Sequence, residues 1–258
     1  MPWSDAPAVT VVLVVALLAL VVVPLAQMLG DGAGAQHGLE PLLELVAVLL
    51  GLLVVSVSLH ALEAQEQARA NVLVVGFGVA AACNFLHGVL VHSGPVHMPP
   101  GSADMSLWLS SWARVAEALT LGLTATRLSA PGPARAWLAA AGGVTLVLAG
   151  SALGPLPHWF AHAADGALRQ VVAVGLALAL AASAVLLYRR SRSEEAPRER
   201  LFAWAAGAFV CGEVTVGALG GHSTLGGVLS HGFRVVAYAL LYQAVFDAGI
   251  RRPFARIQ

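Results

Sequence analysis

Three pairs of polar residues, Asn84/His87, Arg114/Glu117 and His231/Arg234, each sit three positions apart inside long apolar runs. That spacing puts both members of a pair on one helical face, so each pair is presented to the same neighbour. Glu44 and Glu213 also lie within such runs, and Tyr238 follows Arg234 by one helical turn. Ionised groups in hydrocarbon are costly, so these residues must pair with one another or line a site. Glu44, Glu117 and Glu213 against Arg114 and Arg234 leave one negative charge, which a protonated histidine or a cationic ligand would neutralise. An unbalanced set suits a group of residues that titrates or binds. A closed network that only locks helices together is the alternative, and sequence alone leaves both open.

Metal binding is a separate chemistry with its own residues. His158 and His162 are four apart, which would set two imidazoles on one side of a helix, and His92, His97 and His222 fall at the same side of the chain's topology. Such a set suits zinc or copper. Pro155 and Pro157 weigh against a regular helix there, and histidines at membrane interfaces are commonly amphipathic loop residues. No Cys-x-x-Cys-His attaches haem covalently, while a non-covalent haem between His87 and His231 is a further alternative. Ser223 beside His222 and Ser230 beside His231 suggest a nucleophile and its base, but adjacent side chains on a helix diverge. No Gly-x-Ser-x-Gly elbow is present, so no enzyme is expected. All 14 basic residues are arginines, so no lysine can form a Schiff base with retinal or pyridoxal phosphate. Cys83 and Cys211 lie in apolar stretches and make neither a disulfide framework nor a zinc finger.

These residues must be held by membrane helices. Of 258 residues 58% are hydrophobic and 11% charged, less than half the charge of an ordinary soluble domain. Apolar runs of about 20 residues, the length that crosses the hydrocarbon core, recur along the chain. Breaking them at charges, prolines and glycine clusters predicts eight spans, at about 8–28, 39–60, 71–92, 106–128, 135–153, 168–188, 201–219 and 226–248. The connections are too short for another domain, so residues 1–258 read as one integral-membrane domain, an all-α bundle of eight transmembrane helices. The first run is too long for a signal-peptide core and has no basic residue before it, which disfavours cleavage. Eleven arginines, Arg69 and Arg127 among them, fall at the termini and alternate connections, against Arg169 alone on the other side. The positive-inside rule therefore predicts cytoplasmic termini and places most of the polar pairs in the outer half. Equal numbers of acidic and basic residues, 14 each, argue against a nucleic-acid partner.

The same residues carry a family likeness. Asn84-Phe-Leu-His87, Gly94-Pro-Val-His-Met-Pro99, Arg114-Val-Ala-Glu117, Gly212-Glu213 and Ser230-His-Gly-Phe-Arg234-Val-Val-Ala-Tyr238, followed by Tyr242 and Phe246, carry it. By these stretches most of the chain resembles the third class of bacterial membrane-associated sensor domains, the MASE-type input modules of histidine kinases and diguanylate cyclases. Arg252-Pro253 is similar to the family's exit into the cytoplasm. The departures are Asn84 where an aspartate is usual, Arg234 where lysine is expected, and a shifted tryptophan-to-arginine spacing before Arg114. The chain ends at Gln258, so it reads as a stand-alone sensor-like protein or an input module by itself.

The resemblance implies a sensor of the bacterial inner membrane that binds a small ligand or ion. Its candidate ligand-binding residues are Glu44, Asn84, His87, Arg114, Glu117, Glu213, His231, Arg234 and Tyr238. The partners implied are the lipid bilayer, a cytoplasmic kinase or diguanylate cyclase output, fused or separate, and a second copy of the chain. The competing readings are a haem-, metal- or quinone-binding membrane protein and a small-solute transporter. A transporter should show broken helices and a polar path to both sides, and the cytoplasmic halves here are nearly free of polar residues.

Overall fold

The computed structural model describes residues 36–60, 67–92, 102–128, 132–162, 167–193, 197–219 and 224–251. The expected first span at 8–28, His97, His222 and the Arg252-Pro253 exit lie outside the described residues. The described chain is all helical, as its sequence predicts: α1 (Gln36–His60), α2 (Gln67–His92), α3 (Ser102–Ala125), α4 (Ala134–Ala152), α5 (Leu156–His162), α6 (Ala167–Ser193), α7 (Pro197–Leu219) and α8 (Thr224–Phe246). A wider π-helical turn, Asp247–Arg251, follows α8. The seven long helices correspond to the second to eighth expected spans, and α5 is an addition. Its prolines do not prevent it, because Pro157 is the second residue of α5. There a missing backbone N–H breaks no intrahelical bond.

Packing runs α1 to α2, α2 to α3, α3 to α6, α6 to α7, α7 to α8 and α8 back to α1. Six helices therefore close a ring, with α4 outside against α2 and α5 lying against α3. The outer surface is apolar: Leu42, Leu49, Leu146, Val147, Val171 and Leu178 are among its exposed side chains. A continuous belt of this kind has no place in water and suits lipid. Four helical segments, Leu39–His60, Gln67–Val91, Arg135–Ala152 and Gln170–Arg192, are long and apolar enough to cross a membrane. The other long helices, α3, α7 and α8, are those carrying Arg114 and Glu117, Glu213, and His231 and Arg234.

One half of the ring is filled by hydrocarbon, with Val54, Phe77, Leu121, Phe202, Phe209 and Leu241 fully buried. At the end of that half Arg69 Nη1 of α2 meets Glu199 Oε1 of α7 at 2.8 Å, and its guanidinium lies over Phe202. Arg190 Nη2 of α6 donates to the carbonyl of Ala125, one of the acceptors left open where α3 ends. Asn71 Nδ2 donates to the carbonyl of Gly132, whose φ of +117° only glycine adopts without strain. Midway along α2 and α3 the backbones come close at Gly76, where any Cβ would overlap the Thr120 hydroxyl. These contacts fix the helices that aim the polar side chains of the opposite half.

The polar core and the surface around it

The opposite half of the ring holds a connected polar core. Arg234 of α8 is its centre, with Nη2 at 3.5 Å from Glu213 Oε1 of α7 and 3.7 Å from Glu117 Oε2 of α3. Its Nη1 donates to Asn84 Oδ1 of α2 at 3.4 Å. Arg114 of α3 donates through Nη1 to the other oxygen of Glu213 at 3.2 Å. Tyr238, one turn beyond Arg234, donates its hydroxyl to Glu117 Oε1 at 2.8 Å. Asn84, Glu117, Glu213, Arg234 and Tyr238 are all buried. Two arginines thus share two glutamates, an alternating arrangement in which each buried charge has a counter-charge.

Tyr238 closes this core on the hydrocarbon side. Its ring packs edge-on to Phe77 at 5.8 Å and Phe209 at 5.5 Å between centroids, favoured geometries for aromatic pairs. Gly51 of α1 makes room for it, since a Cβ there would stand 3.3 Å from the ring. The hydroxyl faces charge and the ring faces oil. Beyond Tyr238 the next turns of α8 bury the apolar side chains of Leu241, Ala244 and Val245.

Towards the other end the core continues through imidazoles. His87 Nδ1 lies 2.7 Å from the Ser106 hydroxyl and 3.0 Å from the Ser106 carbonyl, and its Nε2 lies 3.6 Å from Glu44 Oε1. His231 Nε2 lies 3.4 Å from Glu40 Oε1, on the same helix as Glu44 and one turn before it. Glycines give these carboxylates space: a Cβ on Gly88 would come within 3.3 Å of the Glu44 carboxylate, and one on Gly227 within 2.6 Å of Glu40. Each imidazole faces its own carboxylate.

The nine residues singled out in the spans therefore lie in one polar half of the bundle, linked through Arg234 or along α1 and α2. Sequence reasoning missed Glu40 and Ser106. Glu40 precedes Pro41 at the edge of the second apolar run and reads as an interfacial residue. Its distance of one turn from Glu44 was the available signal. With Glu40 added, four carboxylates face two guanidiniums and two imidazoles.

His158 and His162 separate from this core. His158 and His162 of α5 meet Asp104 in the first turn of α3, with His158 Nδ1 at 3.0 Å and His162 Nδ1 at 3.9 Å from Asp104 Oδ2. His92 ends α2. A separate groove of about 370 Å³ opens between α2, α3 and α4, lined by apolar side chains such as Val75, Trp112, Leu119 and Val144. The MASE3 family model, a membrane-associated sensor domain, matches residues 37–253. No curated protein and no solved structure matches the chain.

Proposed function

We propose that the polar core is the sensing element of this chain, which belongs to the membrane-associated sensor domain family. In this reading the chain is a non-catalytic input module of bacterial signal transduction. It binds a small cation or polar ligand among Glu44, Asn84, His87, Arg114, Glu117, Glu213, His231, Arg234 and Tyr238, and passes the change to a kinase or diguanylate cyclase output through α8. One observation carries it: the buried carboxylates of Glu44, Glu117 and Glu213, with the partly exposed Glu40 beside them, share one polar cluster with Arg114, Arg234, His87 and His231. Protons on His87 and His231 or a bound cation alter the charge of this cluster, so occupancy changes the forces between α1, α2 and α8. The apolar plug around Tyr238 supports a sensor over a transporter, because it interrupts a polar path along the bundle axis.

The deciding comparison fuses the chain to a kinase or cyclase reporter. Glu213→Gln removes the carboxylate shared by both arginines and keeps its shape. It is expected to fold and to lose the response. Arg234→Gln is tested together with Glu117→Gln, so that no carboxylate is stranded. If both variants fold and respond as wild type under every condition to which the wild type responds, the cluster has no sensing role.

The orientation belongs to the same proposal. The arginines at the Arg69–Glu199 end and the histidines at the other fit an inner-membrane protein with both termini cytoplasmic and eight spans, 8–28 included. With Cys83 and Cys211 replaced, Ser102→Cys is expected to react with an impermeant maleimide from outside. Ser193→Cys should react only after permeabilisation. Equal labelling of both from outside rejects the orientation.

A further inference from the structure

The carboxylate of Asp104 and the imidazoles of His158 and His162 present one ligand atom each, all within 4.8 Å of one another. We infer that these three residues form a binding site for a divalent transition-metal ion, with zinc the best fit, that ties α5 to the first turn of α3. The reading stands apart from the polar core and does not depend on the sensing proposal.

The donor set is two histidines and one carboxylate, the mixture that borderline divalent ions select and that three-ligand zinc sites use, with water in the fourth position. The spacing also fits. Bonds of about 2.0–2.2 Å put the ligand atoms of a tetrahedral zinc about 3.3–3.5 Å apart. The Asp104 oxygen lies 3.0 Å from one Nδ1 and 3.9 Å from the other, on either side of that value. The rings of His158 and His162 are 4.3 Å apart and tilted by 37°, stacked on one side of a single helical turn. Binding needs little rearrangement. His162 gives up the contact between its Nδ1 and the His158 carbonyl, and both rings bind as neutral imidazoles through Nδ1, leaving Nε2–H to water. The charge balance favours it too, because one carboxylate stands against two imidazoles that carry no charge when they ligate.

The support behind the ligands is rigid. α5 is held by Phe160, buried and edge-on to Trp108 at 5.6 Å, and Trp108 donates its indole N–H to Ser151 Oγ of α4 at 2.9 Å. The histidine side chains themselves are exposed, so an ion reaches them directly and their replacement does not disturb the core.

The test uses the full chain in detergent and titrates cobalt(II) as the spectroscopic probe, with zinc as competitor. The expected result is one cobalt bound per chain with tetrahedral d–d absorption, displaced by zinc, and a rise in unfolding temperature on zinc addition. Because loss of a mere outer-shell partner weakens metal binding by ~10–100-fold, Asp104→Asn, His158→Ala and His162→Ala should each weaken it by about 100-fold or more. Their gel-filtration profiles should match wild type. The proposal is overturned if wild type shows no saturable one-to-one binding. It is equally overturned if the His158→Ala/His162→Ala double variant binds within about threefold of wild type, which would place the ion elsewhere.

Discussion

Arg234→Met is expected to lower the unfolding free energy by about 3–5 kcal/mol, the cost of leaving a buried counter-charge without its partner. The geometry says which group is stranded. Glu213 keeps Arg114 at 3.2 Å, whereas among the described residues Glu117 has only the Tyr238 hydroxyl left within hydrogen-bond range. Adding Glu117→Gln to Arg234→Met should therefore recover much of the loss. The neutral amide still accepts from Tyr238, and the Arg114–Glu213 pair is untouched. The double variant should be more stable than Arg234→Met alone, although it carries one more substitution. Urea or thermal unfolding of wild type, Arg234→Met, Glu117→Gln and the double variant in one detergent, read by far-ultraviolet circular dichroism, gives the four values needed. If the two single costs simply add in the double variant, Arg234 and Glu117 are not coupled and the alternating arrangement of charges is wrong.

How much of this core could be read in the sequence follows from which relations are local. Asn84/His87, Arg114/Glu117 and His231/Arg234 lie on shared faces because three residues turn an α-helix through about 300°, and that relation survives whatever the helices pack against. Cost then drives buried charges together, which is why residues from α2, α3, α7 and α8 converge. The order of pairing was not legible. Glu213 meets both arginines, and its closer contact is Arg114 rather than Arg234. Which carboxylate serves which guanidinium depends on helix rotations of a few tens of degrees that no spacing encodes. Arg69 shows the same limit. Its position beside a connection reads as one more inward-facing charge, yet it is paired with Glu199 from a helix 130 residues later. The helical state of α5 was hidden by prolines that are harmless only because they stand at its start. Asp104 is the N-terminal-turn acid any helix favours, and the histidines it meets come from a different helix, so no local spacing marks it.

The second large effect concerns transmission. α8 carries His231, Arg234 and Tyr238 in the polar core and the Tyr242–Phe246 ring pair, 5.6 Å between centroids, further along the same helix. No proline interrupts it between Thr224 and Phe246, and the π-helical turn Asp247–Arg251 follows. A continuous helix moves as a unit, so a ligand that favours one packing of Arg234 over another shifts the far end too, provided its affinity differs between the two states. What the output receives is then an angle as much as a displacement. Each inserted residue turns everything downstream by about 100°, and seven turn it by about 700°, within about 20° of two full turns. In a reporter fusion, one alanine inserted after Phe246 is expected to abolish or invert the response, and seven helix-forming residues inserted there to restore it. The insertions leave the polar core untouched, so unfolding temperatures should stay at the wild-type value. A response that survives the single insertion, or that falls steadily with length and does not return at seven, would show that α8 does not carry the signal as a rigid helix.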